Sequence, residues 1–108
     1  MSPEAEFTQA LEGTIAAAKK RGYVPTYFMQ MLAEYGGVET AKRLLTKPEP
    51  QTGLYELWEL GILCESMEAV IWENTCFHQF FTPPEIGEAY RRLEELMKFR
   101  AVNYSPTK

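Results

Sequence analysis

The sequence predicts an all-α fold, a single domain of about five or six helices in which longer N- and C-terminal helices bracket short central ones. Three observations carry that expectation. Apolar residues recur at intervals of three and four, with no alternating run of the kind a half-buried strand needs. Residues that start and stop helices divide the chain into helix-length pieces, with Thr82-Pro83-Pro84-Glu85 at one extreme and Gly22, Gly36-Gly37 and Gly61 at the other. Finally, 108 residues with 45% apolar and 13% aromatic side chains can bury one core, whereas two cores would each be too small to hold together.

Taken in order, Ser2-Pro3-Glu4 opens a first helix: a hydroxyl caps a free amide, proline loses nothing at the first position, and an acid complements the helix dipole. Phe7, Leu11, Ile15 and Ala18 form its apolar stripe, and Lys19-Lys20-Arg21 with Gly22 end it near Arg21. After the rigid connector Tyr23-Val24-Pro25, a second helix is expected over about 26–35, with Phe28, Met31, Leu32 and Tyr35 on one face and Gly36-Gly37 as its stop. A third, over about 38–46, buries Val38, Ala41, Leu44 and Leu45. The segment Lys47-Pro48-Glu49-Pro50-Gln51-Thr52-Gly53 reads as an extended internal loop, because two prolines one residue apart remove backbone donors.

Residues 54–81 then hold both tryptophans, both cysteines, the single histidine and a dense set of large apolar side chains. The other helices are expected to cover this stretch. Leu54, Leu57 and Trp58 predict a two-turn helix closed by Gly61, and Ser66 caps another running from Met67 to about Trp72. Cys76 to Phe81 fits either one further helical turn or an ordered loop. The final helix begins at the capping box of Thr82 and Glu85 and runs to about Arg100. Ile86, Ala89, Tyr90, Leu93, Leu96 and Met97 lie on its inner face, and Glu88/Arg92 and Glu94/Lys98 are expected as exposed pairs. The domain spans 1–108, with about 101–108 as a loose tail.

The strings Gly22-Tyr23-Val24-Pro25 through Leu32, Gly36-Gly37-Val38-Glu39-Thr40-Ala41, Leu57-Trp58-Glu59-Leu60-Gly61, Ser66-Met67-Glu68-Ala69-Val70 and Phe80-Phe81-Thr82-Pro83-Pro84-Glu85 together resemble a family of small bacterial helical proteins or domains of unknown function. The likeness runs from about Gly22 to Leu93. It implies a bacterial cytosolic protein with a compact helical fold, and it implies no activity, substrate or catalytic residue.

A net charge of −4 and a pI near 5.0 disfavour a general binder of duplex DNA or anionic membranes, without excluding a local basic patch. The expected location is a reducing cytoplasm, because no positively charged leader precedes the fold and no apolar run approaches a membrane span.

The residues that carry chemistry argue mostly for the plainer reading. Cys64, Cys76 and His78 are all of types that ligate zinc, but their spacing is not that of a paired-cysteine knuckle and a fourth ligand is missing; buried cysteines acting as small hydrophobes are expected instead. Cys76 and His78, two apart, project in different directions on a helix and do not make a nucleophile and base. Glu56, Glu59, Glu65, Glu68 and Glu73 are expected on a solvated helix face. No phosphate loop, dinucleotide fingerprint or paired-histidine helix occurs. The sequence therefore predicts no enzyme, no catalytic residue, no metal and no cofactor.

Two non-catalytic functions remain. The surplus of amphipathic rings points to a protein-interaction or self-association module, with Tyr27, Tyr55 and Trp58 as the expected contact residues and a protein partner or a second copy as the occupant. The alternative is a helix-turn-helix-like nucleic-acid binder formed by helices 26–35 and 38–46, with Lys42, Arg43 and Lys47 contacting phosphate.

Overall fold

A computed structural model describes residues 2–48 and 52–103. Among these residues there are five α-helices and no strand: α1 (Pro3–Lys20), α2 (Thr26–Leu45), α3 (Thr52–Glu59), α4 (Met67–Glu73) and α5 (Pro83–Asn103), with short 3₁₀ turns at Leu63–Glu65 and Thr75–Phe80. α1 and α5 are longer than α3, α4 and each segment of α2, which breaks at Gly36, as the punctuation of the chain predicts. The closest packing is of α1 on α2 and of α4 on α5, with α1 also meeting α4 and α2 meeting α5.

The local signals act as their chemistry dictates. The Ser2 hydroxyl accepts from the Ala5 amide, and Ser66 does the same for Ala69 at the start of α4. At α5 the Thr82 amide donates to Glu85 Oε1 at 2.8 Å and the Glu85 amide donates to the Thr82 hydroxyl at 3.3 Å, a complete capping box. Gly22 and Gly61 take positive φ values where α1 and α3 end.

The glycine pair interrupts α2 as the sequence predicts. Gly36 adopts φ 80° and ψ 173°, a conformation almost confined to glycine, so α2 is two helical segments meeting at a kink there, close to the two expected helices at 26–35 and 38–46. Thr40, fully buried beyond the kink, donates to the Met31 carbonyl at 2.9 Å and ties the two halves together. Gly37 is where α2 comes closest to α1: its amide donates to the Thr8 hydroxyl at 3.0 Å, and a Cβ there would stand 2.9 Å from the Thr8 Cα. Gly37→Ala is therefore expected to lower stability by about 1–3 kcal/mol through overpacking against backbone, measured by urea unfolding. Gly13→Ala, at a site with nothing within 4 Å, serves as the control.

Around this contact the core assembles from Phe7 and Leu11 of α1, Met31, Leu32, Ala41, Leu44 and Leu45 of α2, Met67 and Ile71 of α4, Phe77 of the second 3₁₀ segment, Phe81 just after it, and Ala89 of α5. Phe7 is its centre. The ring has 0% exposure and meets Phe77 edge-on at 5.1 Å and Phe81 at 5.5 Å. A smaller cluster of Ala18, Leu57 and Ile62 joins the end of α1 to α3.

Several expectations need correction. Thr52 and Gly53 belong to α3 and not to the extended loop; the expected loop residues 49–51 lie outside the described residues. Residues 101–103 continue α5 instead of starting a loose tail, and 104–108 lie outside the described residues. Cys64 and Cys76, expected as buried small hydrophobes, are both exposed, each on a 3₁₀ turn. Glu88/Arg92 is a pair, but not an exposed one: Arg92 is 1% exposed.

Candidate functional site

Among the described residues, two surface concavities stand out, each framed by a different physical arrangement. The larger, about 330 Å³, runs between α3, the turn at 63–65, α4 and α5. Trp58 of α3, Trp72 of α4 and Tyr90, Leu93 and Met97 of α5 line it. Trp72 and Tyr90 hold their ring centroids 4.4 Å apart while remaining 40% and 37% exposed, and Met97 is 52% exposed. α4 packs on α5, and Ala69, Ala89 and Leu93 are buried there while these larger side chains stay half-exposed. Glu73 lines the groove as well, and Glu94 accepts a hydrogen bond from the Tyr90 hydroxyl at 3.4 Å.

The smaller concavity, about 100 Å³, lies at the other flank of α4, where α1, the 23–25 connector, α2 and α3 converge. Its walls are mostly apolar; its polar residues are Glu68, 5% exposed, Thr14, whose hydroxyl donates to the Glu65 carbonyl, and the tyrosines Tyr23 and Tyr27. Glu68 is not on the solvated face expected for it. Its position on α4 faces the Arg92 guanidinium, whose Nη1 lies 3.5 Å from Glu68 Oε2. Burial raises the Glu68 pKa above the ordinary carboxylate value, outweighing the attraction of Arg92 and a hydrogen bond from its own amide.

Arg92 joins the two flanks. Its Nε donates to Glu88 at 2.7 Å, Nη2 to the Lys47 carbonyl at 2.8 Å and Nη1 to the Leu44 carbonyl at 3.3 Å. The guanidinium thereby ties α5 to the end of α2, adding a donor to the Leu44 carbonyl, which already accepts from the Lys47 amide, and one to the Lys47 carbonyl just beyond the helix. Glu88, bonded first by Arg91 and also by Arg92, is held down to about 2.

The residues expected to contact a partner separate between these places. Trp58 lies in the groove. Tyr55, one turn earlier on α3 and 43% exposed, stands beside α5: Arg91 is pushed above its ordinary value by its hydrogen bond to Glu88 and, in smaller part, by Tyr55. Tyr27, 52% exposed, lines the smaller cavity and not the groove. Sequence reasoning missed Trp72, Tyr90 and Met97 as groove residues because all three fall at the margins of apolar stripes and read as core.

The residues of the nucleic-acid alternative are engaged within the chain. Lys42 donates to Glu85 at 2.8 Å with its ammonium 5.3 Å from the Phe81 ring centre. Arg43 pairs with Glu39 at 3.0 Å and lies 4.0 Å over the Tyr35 ring. Lys47 is exposed, and its carbonyl accepts from Arg92. His78 Nε2 lies 2.9 Å from the Ile71 carbonyl, which only accepts, so that nitrogen carries a proton. Among the described residues no three His, Cys, Asp or Glu side chains converge as a metal site would require, and no helix is long and apolar enough to cross a membrane. No protein-family model matches this chain, and neither the curated proteins nor the solved structures contain a match to it.

Proposed function

We propose that this protein is a non-catalytic interaction module whose groove between α3, α4 and α5 receives an amphipathic, positively charged segment of a partner protein. The observation that carries this reading is the continuous strip of partly exposed Trp58, Trp72, Tyr90 and Met97, large amphipathic side chains of the kind that anchor protein interfaces. Charge selects the occupant. Glu73 lies in the groove, and Glu59, Glu65 and Glu94 are chain neighbours or hydrogen-bond partners of residues at its edge. The nearby cations are mostly spent: Arg92 is buried and Arg91 is paired with Glu88 and Glu95, leaving Lys98 beside Met97. Apolar anchors would supply affinity, and the acidic rim would speed encounter with a basic partner and reject acidic ones. The engagement of Lys42 with Glu85 and of Arg43 with Glu39 favours this reading over phosphate binding.

The test is a fluorescence titration of the tryptophans with a cationic amphipathic helical peptide and with its charge-reversed counterpart. The cationic peptide is expected to bind and the anionic one to fail. Trp72→Ala is expected to weaken binding by about 30-fold or more, the loss typical of an interface anchor. Equal binding of both peptides, or an unaffected Trp72→Ala variant, would reject the proposal. A monomer–dimer transition in light scattering that Trp72→Ala abolishes would instead identify a second copy as the occupant and reject the basic partner.

A further inference from the structure

The cavity between α1, α2, α3 and α4 combines features that fit a small-molecule site: mostly apolar walls and a buried carboxyl able to orient a ligand, the other buried polar side chain, Thr14, donating its hydroxyl to the Glu65 carbonyl. Ala18, Phe28, Leu44, Leu57 and Met67 supply the walls. They come from elements distant in the chain, so the shape is set by the whole fold and not by one mobile loop. Gly53 keeps the wall of α3 open, for a Cβ there would stand 3.3 Å from the Tyr23 hydroxyl. Tyr27, 52% exposed, lies at the wall that reaches solvent.

The polar group is Glu68. An ionised carboxylate offers about four acceptor positions. At Glu68 the structure fills these with its own amide and with Arg92 Nη1 at 3.5 Å, longer than a good charge-assisted hydrogen bond. Arg92 makes its short bonds elsewhere, to Glu88 and to the Lys47 carbonyl. Thus a buried acid with acceptor capacity to spare borders an apolar space, an arrangement that stability alone does not favour. Its neighbour Arg92 also sets the charge of the ligand: a cationic amine would be repelled by the guanidinium, whereas a neutral hydroxyl can donate to the carboxylate without that penalty. The volume sets the size: about 100 Å³ is of the order of the ~150 Å³ apolar cavity that admits benzene, and the cavity is open to solvent, so one small ring with a single substituent that reaches toward the opening is the upper limit.

We propose that this cavity binds a compact, neutral, apolar molecule bearing one hydroxyl, no larger than a single six-membered ring, with the hydroxyl donating to Glu68. The site is independent of the groove, and either can fail without the other.

Phenol and toluene, equal in shape and differing in the hydroxyl, are the probes. In a ¹H–¹⁵N NMR titration of the full chain, phenol is expected to move the amides of Ala18, Leu57, Met67 and Glu68, and to bind roughly tenfold or more tightly than toluene. Glu68→Leu is expected to abolish that preference, and Gly53→Leu to exclude both probes while leaving the groove amides of Trp72 and Tyr90 unchanged. Because the phenol-to-toluene ratio is read on the unaltered protein, a variant that fails to fold does not rescue the proposal. Equal affinities, shifts confined to other surfaces, or no shift at the solubility limit of phenol would overturn it.

Discussion

Arg92→Met is expected to lower stability by about 3–5 kcal/mol, a large share of the 5–15 kcal/mol that holds a domain of this size together. The substitution keeps most of the side-chain volume and removes the charge, so the loss reports on electrostatics and hydrogen bonding and not on a cavity. It removes a donor from the Leu44 and Lys47 carbonyls and leaves Glu68 buried without its cation. Removing one partner of a buried ion pair costs about 3–5 kcal/mol, because the other charge is left buried and uncompensated. Urea denaturation read by tryptophan fluorescence measures the total, and a loss under 1 kcal/mol would show that the network contributes little. Adding Glu68→Gln to the same chain should recover part of the loss, because the uncompensated charge is then gone.

The pH profile of the same network carries opposite signs on its two sides. Glu88 is depressed to about 2 by Arg91 and Arg92, so the unfolded chain binds its proton more readily. Its contribution is present above the ordinary carboxylate value near 4.5 and is lost as pH falls toward 2. Glu68 is raised by burial, so here the folded chain binds the proton more readily, and stability falls as pH rises from about 4.5 through the raised value. Arg92→Met should make the acid-side rise shallower, since Glu88 then keeps only Arg91, and should steepen the fall attributable to Glu68.

Phe7→Ala is expected to cost about 3–5 kcal/mol, chiefly through the cavity it opens. The ring is fully buried and contacts aromatic residues contributed by a segment some seventy positions later in the chain, at Phe77, Phe80 and Phe81. The edge-on contacts with Phe77 and Phe81 add about 0.5–1.5 kcal/mol per pair beyond burial. Phe7→Leu should lose markedly less, and the difference between the two variants separates volume from ring geometry. Calorimetric melting at neutral pH provides the comparison. A drop of only a few degrees for Phe7→Ala would mean that α1 is held by Gly37 and Leu11 and not by the aromatic cluster.

The helices and their ends were legible because the forces that set them are local. Ser2, Ser66 and the Thr82/Glu85 pair each act within one turn of their own backbone, and a reader of the chain sees both partners at once. The all-α class and the apolar faces follow equally from spacing. What spacing cannot convey is how deeply a face is covered and by what. Glu88 and Arg92 are recognisable as neighbours four residues apart on a helix, but α5 is closed over at that point by the end of α2 and by α4, so the arginine is sealed inside. Glu68 was read as solvated for the same reason, since its neighbours in the chain give no sign that Arg92 waits opposite. Trp58 stood out by type, whereas Trp72, Tyr90 and Met97 look like core residues until the α4–α5 contact is seen to bury only part of them. Local chemistry thus decided where each helix begins and ends. Burial of charge, exposure of rings and the two concavities were decided by which helices meet, because they depend on contacts between residues far apart in the chain.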